Sequence, residues 1–410
     1  MVSTTISVPE AGFAGKPRSS PASSRPASSA IPTGVTCPGV SFRGVVYGGS
    51  GYAQENLMIV MALARCGIPV RIEPMIEQND AENLLSQETR TALEFAKLQP
   101  IDLSRGVYFQ SMPAQDFQTN LYARRLVGRT MFETDRIPDG WVEKCNAMDE
   151  VWVPSSFNLE TFRRAGVQEH KLLKMEEGED TSFFHPGNPP FRIPGARGFN
   201  FLSVFQWTQR KGPDILLKAF IREFKEDEDV TLILRTYGRS GPDSDLLPNL
   251  LYYIERELHV PLEKTPPILL VPGFISNQVL PRLYTSADCF VLPSRGEGWG
   301  RPYVEALCSE MPVIATRWSG QLDFLNDANS YLIDCKLAPT PCDTDVEIFA
   351  GHEWAEPDVD QAAHWMRRLV DDVAFRTRIA ERGRRDICTR FTRATTAALM
   401  RERLFELGLL

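Results

Sequence analysis

The chain has 410 residues, 43% hydrophobic and 24% charged, which supplies apolar material for large cores and points to two domains. A formal net charge of -8 argues against a nucleic-acid surface, and no apolar run reaches the roughly 18 residues of a membrane span, so the expected partner is a small molecule. Eight cysteines without any Cys-x-x-Cys spacing read as reduced thiols of a cytoplasmic protein rather than a metal centre or a disulfide framework.

Residues 1–38, with the run "SSPASSRPASSAIP", are rich in Ser, Pro and Ala and read as a disordered tail. Lys16, Arg18 and Arg25 against the single acid Glu10 also suit an organelle targeting segment, which is the minority reading. Order is expected from "FRGVVYGGSGYAQENLMIVMALARCGIPVRIEPM". A strand runs into Gly48, Gly49 and Gly51, a helix follows with Leu57, Val60, Met61 and Ala64 on its apolar stripe, Gly67 stops it, and a second strand covers 70–72. The segments "GVYFQSM", "RTMFETD" and "EVWVPSS" read as strand ends or the loops after them, and "NLETFRRAG" as a helix. A first domain thus spans 39–175, and the Gly- and Pro-bearing stretch 176–198 is a linker.

A second β-α-β series over 199–392 begins with the strand "FNFLSVFQW" and the helix "PDILLKAFIREF". It continues through the strands "VTLILRTYG", "PPILLVPGF", "DCFVLPS" and "PVIAT", with the helix "NQVLPRLYTSA" between the middle two. The acidic run "KEDEDV" falls between a helix and the next strand, at the amino ends of the strands. "HEWAEPDVDQAAHWMRRLVDD" and the chain beyond it read as helical, with Ala362, Ala363, Met366, Leu369 and Val370 on one stripe. Arg367, Arg368, Arg384 and Arg385 leave peripheral contact with anionic membranes open, although a solvated face is the favoured reading. Strands alternating with helices imply parallel sheets, an α/β fold of two Rossmann-like doubly wound domains, and ligands bound beyond the carboxyl ends of the strands in the cleft between them.

The stretch "PSRGEGWGRPYVEAL" carries the most specific chemistry. It is a loop after a strand, and Pro302 suits the first turn of a helix, which places Glu305 in that turn. Glycines at 296, 298 and 300 admit close approach of a ligand, free N–H groups at the helix start favour an anion, and Glu297 and Glu305 can accept hydrogen bonds from hydroxyls. A nucleotide sugar would use all of these. The bland alternative is a capped turn with Glu305 favourably placed in the helix dipole.

"SRGEGWGRPYVEALCSEMPVIAT" resembles the Glu, seven residues, Glu signature of the retaining glycosyltransferases of family four, which have the GT-B architecture. "EGEDTSFFHP", "RKGPDILLKAF", "PGFISNQVLPRLYTSADCFVLPS" and "SGQLDFL" are similar to other segments of that family in the expected order, and the likeness covers nearly all of 42–405. The resemblance implies a transfer of a hexose from a nucleoside-diphosphate sugar to a hydroxyl of a glycan, lipid-linked or small-molecule acceptor, without a cofactor, and the cations and N–H donors at the carboxyl ends of the strands, with the acidic run at the amino ends, point to a site without a metal ion. It implies that Glu305 holds the donor ribose, that Glu297 and the loop of Gly298, Trp299, Gly300 and Arg301 hold the sugar, and that Lys211 neutralises the diphosphate under a loop with Gly49 and Gly51. Phe274, in "PGF", joins the donor set, and residues 393–410 are implied to form a helix crossing back to the first domain.

Three positions depart from the family pattern. Gln206 stands where a second phosphate cation is common, with Arg210 or Arg301 as substitutes. The one histidine before the linker is His170, at the very end of the first domain, so Glu133, with Asp135 beside it in "MFETDRIP", takes the place of an amino-domain histidine as the candidate catalytic residue. Glu310 replaces the glycine usual after the signature helix. Two other readings stand beside the enzyme: a catalytically inactive scaffold of the same fold, and a nicotinamide-dependent dehydrogenase using "GGSGYA" with Glu73 on the ribose.

Overall fold

Alternating apolar strands and helices build two separate parallel sheets in the computed structural model, which describes residues 36–75, 85–238, 246–272, 275, 279–341 and 347–409. Phe274 lies outside the described residues, as does the tail over 1–35. The first sheet contains β1 (Val40–Gly44), β2 (Val70–Pro74), β3 (Val107–Ser111), β4 (Arg125–Arg129), β5 (Glu150–Val153) and β6 (Leu172–Lys174) in the order β2-β1-β3-β4-β5-β6. All its neighbours pair in parallel, and β3 is buried at every residue, as expected of a strand covered on both faces.

Among the described residues, α1 (Gly51–Arg65), α2 (Gln87–Lys97), α3 (Trp141–Asn146) and α4 (Ser156–Ala165) accompany this sheet. Ser50 caps α1 by accepting from the Ala53 N–H, and Gly67 follows it with φ 77°, a conformation a side chain resists. Ser155 caps α4 through the Asn158 N–H. The buried face of α1 is Glu55, Asn56, Ile59, Val60 and Leu63, not the expected stripe of Leu57, Val60, Met61 and Ala64. The stripe is rotated because Glu55 turns inward to an ion pair with Arg129 at the end of β4.

The second sheet contains β7 (Phe199–Gln206), β8 (Val230–Tyr237), β9 (Ile268–Pro272), β10 (Cys289–Leu292), β11 (Val313–Thr316) and β12 (Tyr331–Ile333), in the order β12-β11-β10-β7-β8-β9, again parallel throughout. Its helices are α5 (Pro213–Glu223), α6 (Leu246–Tyr252), α7 (Leu280–Tyr284) and α8 (Arg301–Cys308). Phe201, Phe220 and Phe224 interlock between sheet and helix with ring centroids 5.4–6.1 Å apart. Removing one such ring from a filled core costs about 3–5 kcal/mol.

After β12 the chain forms an antiparallel hairpin, β13 (Cys335–Pro339) and β14 (Glu353–Pro357), before α9 (Val359–Asp371), α10 (Val373–Arg390) and α11 (Arg393–Glu406). The sequence reading of "HEWAEP" as helix is therefore corrected: α9 begins only after Asp358, whose side chain caps it at the Gln361 N–H. Helix α11 packs against α1, with Met400 and Leu404 in the core of the first sheet. Arg367 pairs with Glu223 and Glu228, and Arg384 reaches Glu310, so two of the four arginines considered for membrane contact have partners within the fold. Among the described residues no helix is long and apolar enough to cross a membrane.

Strand order determines where a site can form. In the second sheet the order reverses between β7 and β10, so the loops leaving those two strands diverge and open a crevice beyond their carboxyl ends. In the first sheet the reversal lies between β1 and β3, at the loop that leads into α1.

Candidate functional site

The loop after β7 carries Arg210 and Lys211, and the loop after β10 carries Glu297, so the switch point of the second sheet brings cations and carboxylate together. The Lys211 Nζ donates to both oxygens of Glu297, at 2.6 and 2.8 Å, and Arg210 Nη1 lies 3.3 Å from the same carboxylate. Gly212 makes this possible: at φ 67° it turns the chain into α5, and a side chain there would strike the Pro293 carbonyl. Burial pushes the Glu297 carboxyl up, but Lys211 and Arg210 outweigh it and hold it below the ordinary range, so it is ionised at neutral pH. Burial holds the Lys211 ammonium below its usual range, opposed by Glu297.

The loop holding Glu297 is rigid. Arg295 makes a bidentate pair with Asp214, 2.7 Å on each arm, and a second pair with Glu356 on β14 at 2.8 and 3.0 Å. The Glu297 N–H donates to the Ser319 hydroxyl at 2.9 Å. Trp299 packs its ring against Phe324 and Phe391, which anchors the loop, and it lines the cavity described below.

From the opposite sheet, residues 131–133 cross the cleft onto this loop. A Cβ at Gly296 would lie 2.0 Å from the Glu133 carbonyl oxygen, and one at Gly298 2.6 Å from the Met131 sulfur. Both glycines therefore exist to let the two halves touch. Glu133 stands 3.4 Å from Arg210 Nη2, and burial raises its carboxyl above the ordinary range with Arg210 opposing.

Glu305 sits one turn deeper than the sequence places it, because α8 begins at Arg301 with Gly300 (φ 99°) as its cap. The Tyr284 hydroxyl donates to it at 2.7 Å, and burial pushes its carboxyl up to about 7 against the pull of Arg301. Arg301 lines the cavity as well, and its guanidinium is bound to Glu179 at 2.8 Å, with Glu305 at 3.7 Å and Glu177 at 3.9 Å. Arg210 and Arg301 both remain candidates for the second cation.

A cavity of about 260 Å³ joins these groups. It is lined by Gly49 and Gly51 from the first sheet, by Gln206, Arg210 and Lys211 after β7, and by Glu297, Gly298, Gly300, Arg301 and Glu305, so the described members of the sequence-derived set meet in one place. Sequence reasoning missed Glu55 and Glu177 on its floor, where Glu177 is pushed up to about 8 by burial and by Glu55, with Arg129 opposing. It also missed Arg235 and Tyr237 at the end of β8, Tyr52, and the Tyr284 partner of Glu305. Glu177 and Glu179 were visible in "EGED", but nothing in that segment announces that its acids turn inward.

Glu73 does not serve the glycine loop. It accepts from the Ser41 hydroxyl at 2.5 Å and Arg71 at 2.9 Å, which leaves the dinucleotide reading without its ribose acid. Among the described residues no group of three or more His, Cys, Asp or Glu side chains is placed to hold a metal ion.

Comparisons with known proteins bear on the fold and on the second half of the chain. A family model described as "Glycosyl transferases group 1" matches residues 197–340. Mannosylfructose-phosphate synthase of Agrobacterium fabrum is 26% identical over 160 residues, covering 38% of this chain and 34% of that protein. D-inositol 3-phosphate glycosyltransferase of Salinispora arenicola is 26% identical over 196 residues, covering 47% of this chain and 38% of that protein. The matches thus span little more than a third of these relatives' own length. Among solved structures, Anabaena HepE in complex with UDP and glucose superposes with a TM-score of 0.61 at 15% identity, over 90% of this chain and 99% of that one. Sucrose-phosphate synthase from Thermosynechococcus elongatus gives a TM-score of 0.61 at 15% identity, over 90% and 98%. The fold is GT-B, two Rossmann-like units facing a cleft, and residues 197–340 are similar to the glycosyl transferases group 1 family.

Proposed function

We propose that the protein is a retaining, metal-independent hexosyltransferase of the family-four type, moving a hexose from a nucleoside-diphosphate sugar to a hydroxyl acceptor. The observation that carries this reading is the Lys211, Arg210 and Glu297 constellation, set at the switch point of one sheet and facing the glycine loop of the other across the cavity. Cations fixed where a leaving diphosphate gains charge lower the barrier by electrostatics that need no reorganisation. The starts of α1 and α8 add N–H donors of the kind that anions seek. HepE, with UDP and glucose in its structure, supports a uridine donor.

Glu297 is ill-suited to be a nucleophile, since its oxygens are already bound to Lys211 and Arg210. The mechanism that fits is same-face attack, in which the departing diphosphate takes the acceptor proton while the protein orients both reactants. Glu133 reaches the cleft from the acceptor side, beside Arg210.

The test is incubation of the full chain with UDP-, GDP- and ADP-sugars, with and without excess chelator, followed by mass spectrometry of nucleotide and products. Nucleotide release from at least one donor is expected, reduced at least a hundredfold in Lys211→Met and unchanged within about twofold by chelator. Absence of release from every donor, or equal release by Lys211→Met, refutes the reading. Loss with chelator that magnesium or manganese restores refutes the metal-independent part alone.

A further inference from the structure

The hairpin after β12 does more than decorate the second sheet, because it grips the loop that carries Glu133. The Asp135 N–H donates to the Glu353 carbonyl at 3.0 Å, and the Glu353 N–H donates to Asp135 Oδ1 at 2.7 Å. Between these two bonds and the site lies Thr134, fully buried, whose hydroxyl is 3.0 Å from the Arg136 carbonyl and 2.7 Å from His352 Nδ1. With the Thr134 hydrogen directed at that carbonyl, the ring nitrogen is the donor, which places a proton on His352 Nδ1, and burial holds the pKa of the imidazole below its ordinary value.

Other contacts tie the same segment to the rest of the site. The His352 ring packs edge-on to Phe132 at 5.6 Å, Phe349 packs on Phe132 at 5.3 Å, and the Arg210 guanidinium lies over Phe349 at 5.9 Å. The Ala355 N–H donates to the Arg295 carbonyl at 3.0 Å. One short segment of the second half therefore touches the residues on both sides of Glu133 and the arginine that faces it.

We infer that His352 is a positioning residue: through Thr134 it fixes the loop of residues 132–135 so that Glu133 is presented to Arg210 and the reacting end of the cleft. His352 belongs to the second half, yet it reaches Thr134 of the first half from 218 residues further along the chain. Backbone placement to a fraction of an ångström decides whether a carboxylate is productive, so the effect falls on the chemical step rather than on donor affinity.

The inference rests on the proposed role of Glu133, and the test keeps the two apart. Hydrogen exchange of the peptide spanning 131–137 is measured in the full-length protein for wild type, His352→Ala and His352→Asn, alongside kcat and KM with the donor found by the nucleotide-sugar panel. The alanine variant is expected to speed exchange there about tenfold and to lower kcat about tenfold with donor KM within about twofold. The asparagine variant, whose side-chain amide replaces the Nδ1–H donor, is expected to recover most of both losses. Unchanged exchange at 131–137, a KM that rises as kcat falls, or an asparagine variant as impaired as alanine overturns the inference. A wild type that turns over no nucleotide sugar refutes the proposed function, and the exchange measurement then decides the positioning by itself.

Discussion

Replacing Glu297 with glutamine separates the two jobs the carboxylate performs. In the unliganded site it holds Lys211 at 2.6 and 2.8 Å and Arg210 at 3.3 Å. The amide keeps one acceptor oxygen, removes the charge, and turns N–H groups toward two cations. Breaking a buried pair from one side costs about 3–5 kcal/mol, and the lower end applies because Lys211 retains some contact with water. The effect on a nucleoside diphosphate is of opposite sign. A carboxylate about 5 Å from a phosphate repels it by roughly 3 kcal/mol at an effective dielectric constant of about 20, and solvent leaves on the order of 1.5 kcal/mol of that. Glu297→Gln should therefore bind a free nucleoside diphosphate about tenfold more tightly than wild type, while sugar transfer falls at least a hundredfold. Isothermal titration with UDP, GDP and ADP, paired with the transfer assay, reads both quantities. Diphosphate affinity that falls in step with transfer would refute the competition between Glu297 and phosphate for Lys211.

Glu305→Gln should fold as well as wild type by chemical denaturation, because burial already favours the neutral form and the Tyr284 hydroxyl keeps an acceptor, yet it should lose about ten- to a hundredfold in nucleotide affinity. Unaltered affinity would remove Glu305 from the ribose. Gly296→Ala puts a Cβ 2.0 Å from the Glu133 carbonyl oxygen where ordinary contact begins at 3.4 Å, so the facing loops must separate. The expected result is about 1–3 kcal/mol of lost stability and at least a tenfold loss of transfer, and a variant as stable and active as wild type counts against direct contact. Glu177, raised to about 8, holds its proton more tightly folded than unfolded, so its stabilisation is complete below the unfolded carboxylate range and is lost as pH rises to about 8. The denaturation midpoint should decline between about pH 5 and 8, and the slope should flatten in Glu177→Gln; an identical slope in the two proteins would contradict the assignment.

Much of the fold could be read because parallel strands covered on both faces appear as unbroken apolar runs, such as "VTLILRTY" in β8, and glycines mark the turns between them. The signature loop was legible for a similar local reason: strand, glycines, proline and acid lie within one short segment. What escaped depends on partners far apart in the chain. The ion pair of Arg301 could not be read because its acid, Glu179, is 122 residues upstream. The inward turn of Glu55 depends on Arg129 across 74 residues. "HEWAEP" has no alternation, and its Glu and Ala favour helix, yet β14 forms because β13 and the Arg295 carbonyl supply its hydrogen bonds. Position along the sequence cannot reveal a partner chosen by topology.

The charges lining the cavity explain how a site so rich in acids can suit an anion. Arg210, Lys211, Arg235 and Arg301 face Glu55, Glu133, Glu177, Glu297 and Glu305, a lining that is formally acidic. Burial alters the balance: Glu177 is raised to about 8 and Glu305 to about 7, so part of that negative charge is neutralised by protons. Of the acids nearest Lys211, Glu297 stays ionised, and it occupies the lysine. Under the proposed function a nucleotide sugar resolves this occupation at both ends. Its diphosphate replaces Glu297 on Lys211, and its sugar hydroxyls replace Lys211 on Glu297, so neither buried charge is left alone. A free diphosphate satisfies only the first exchange and a free sugar only the second. The intact donor should consequently bind more tightly to wild type than to Glu297→Gln relative to the bare nucleotide, a difference that double titration of the two ligands on the two proteins measures as a coupling energy. A coupling indistinguishable from zero would mean that Lys211 and Glu297 do not exchange partners when the donor enters.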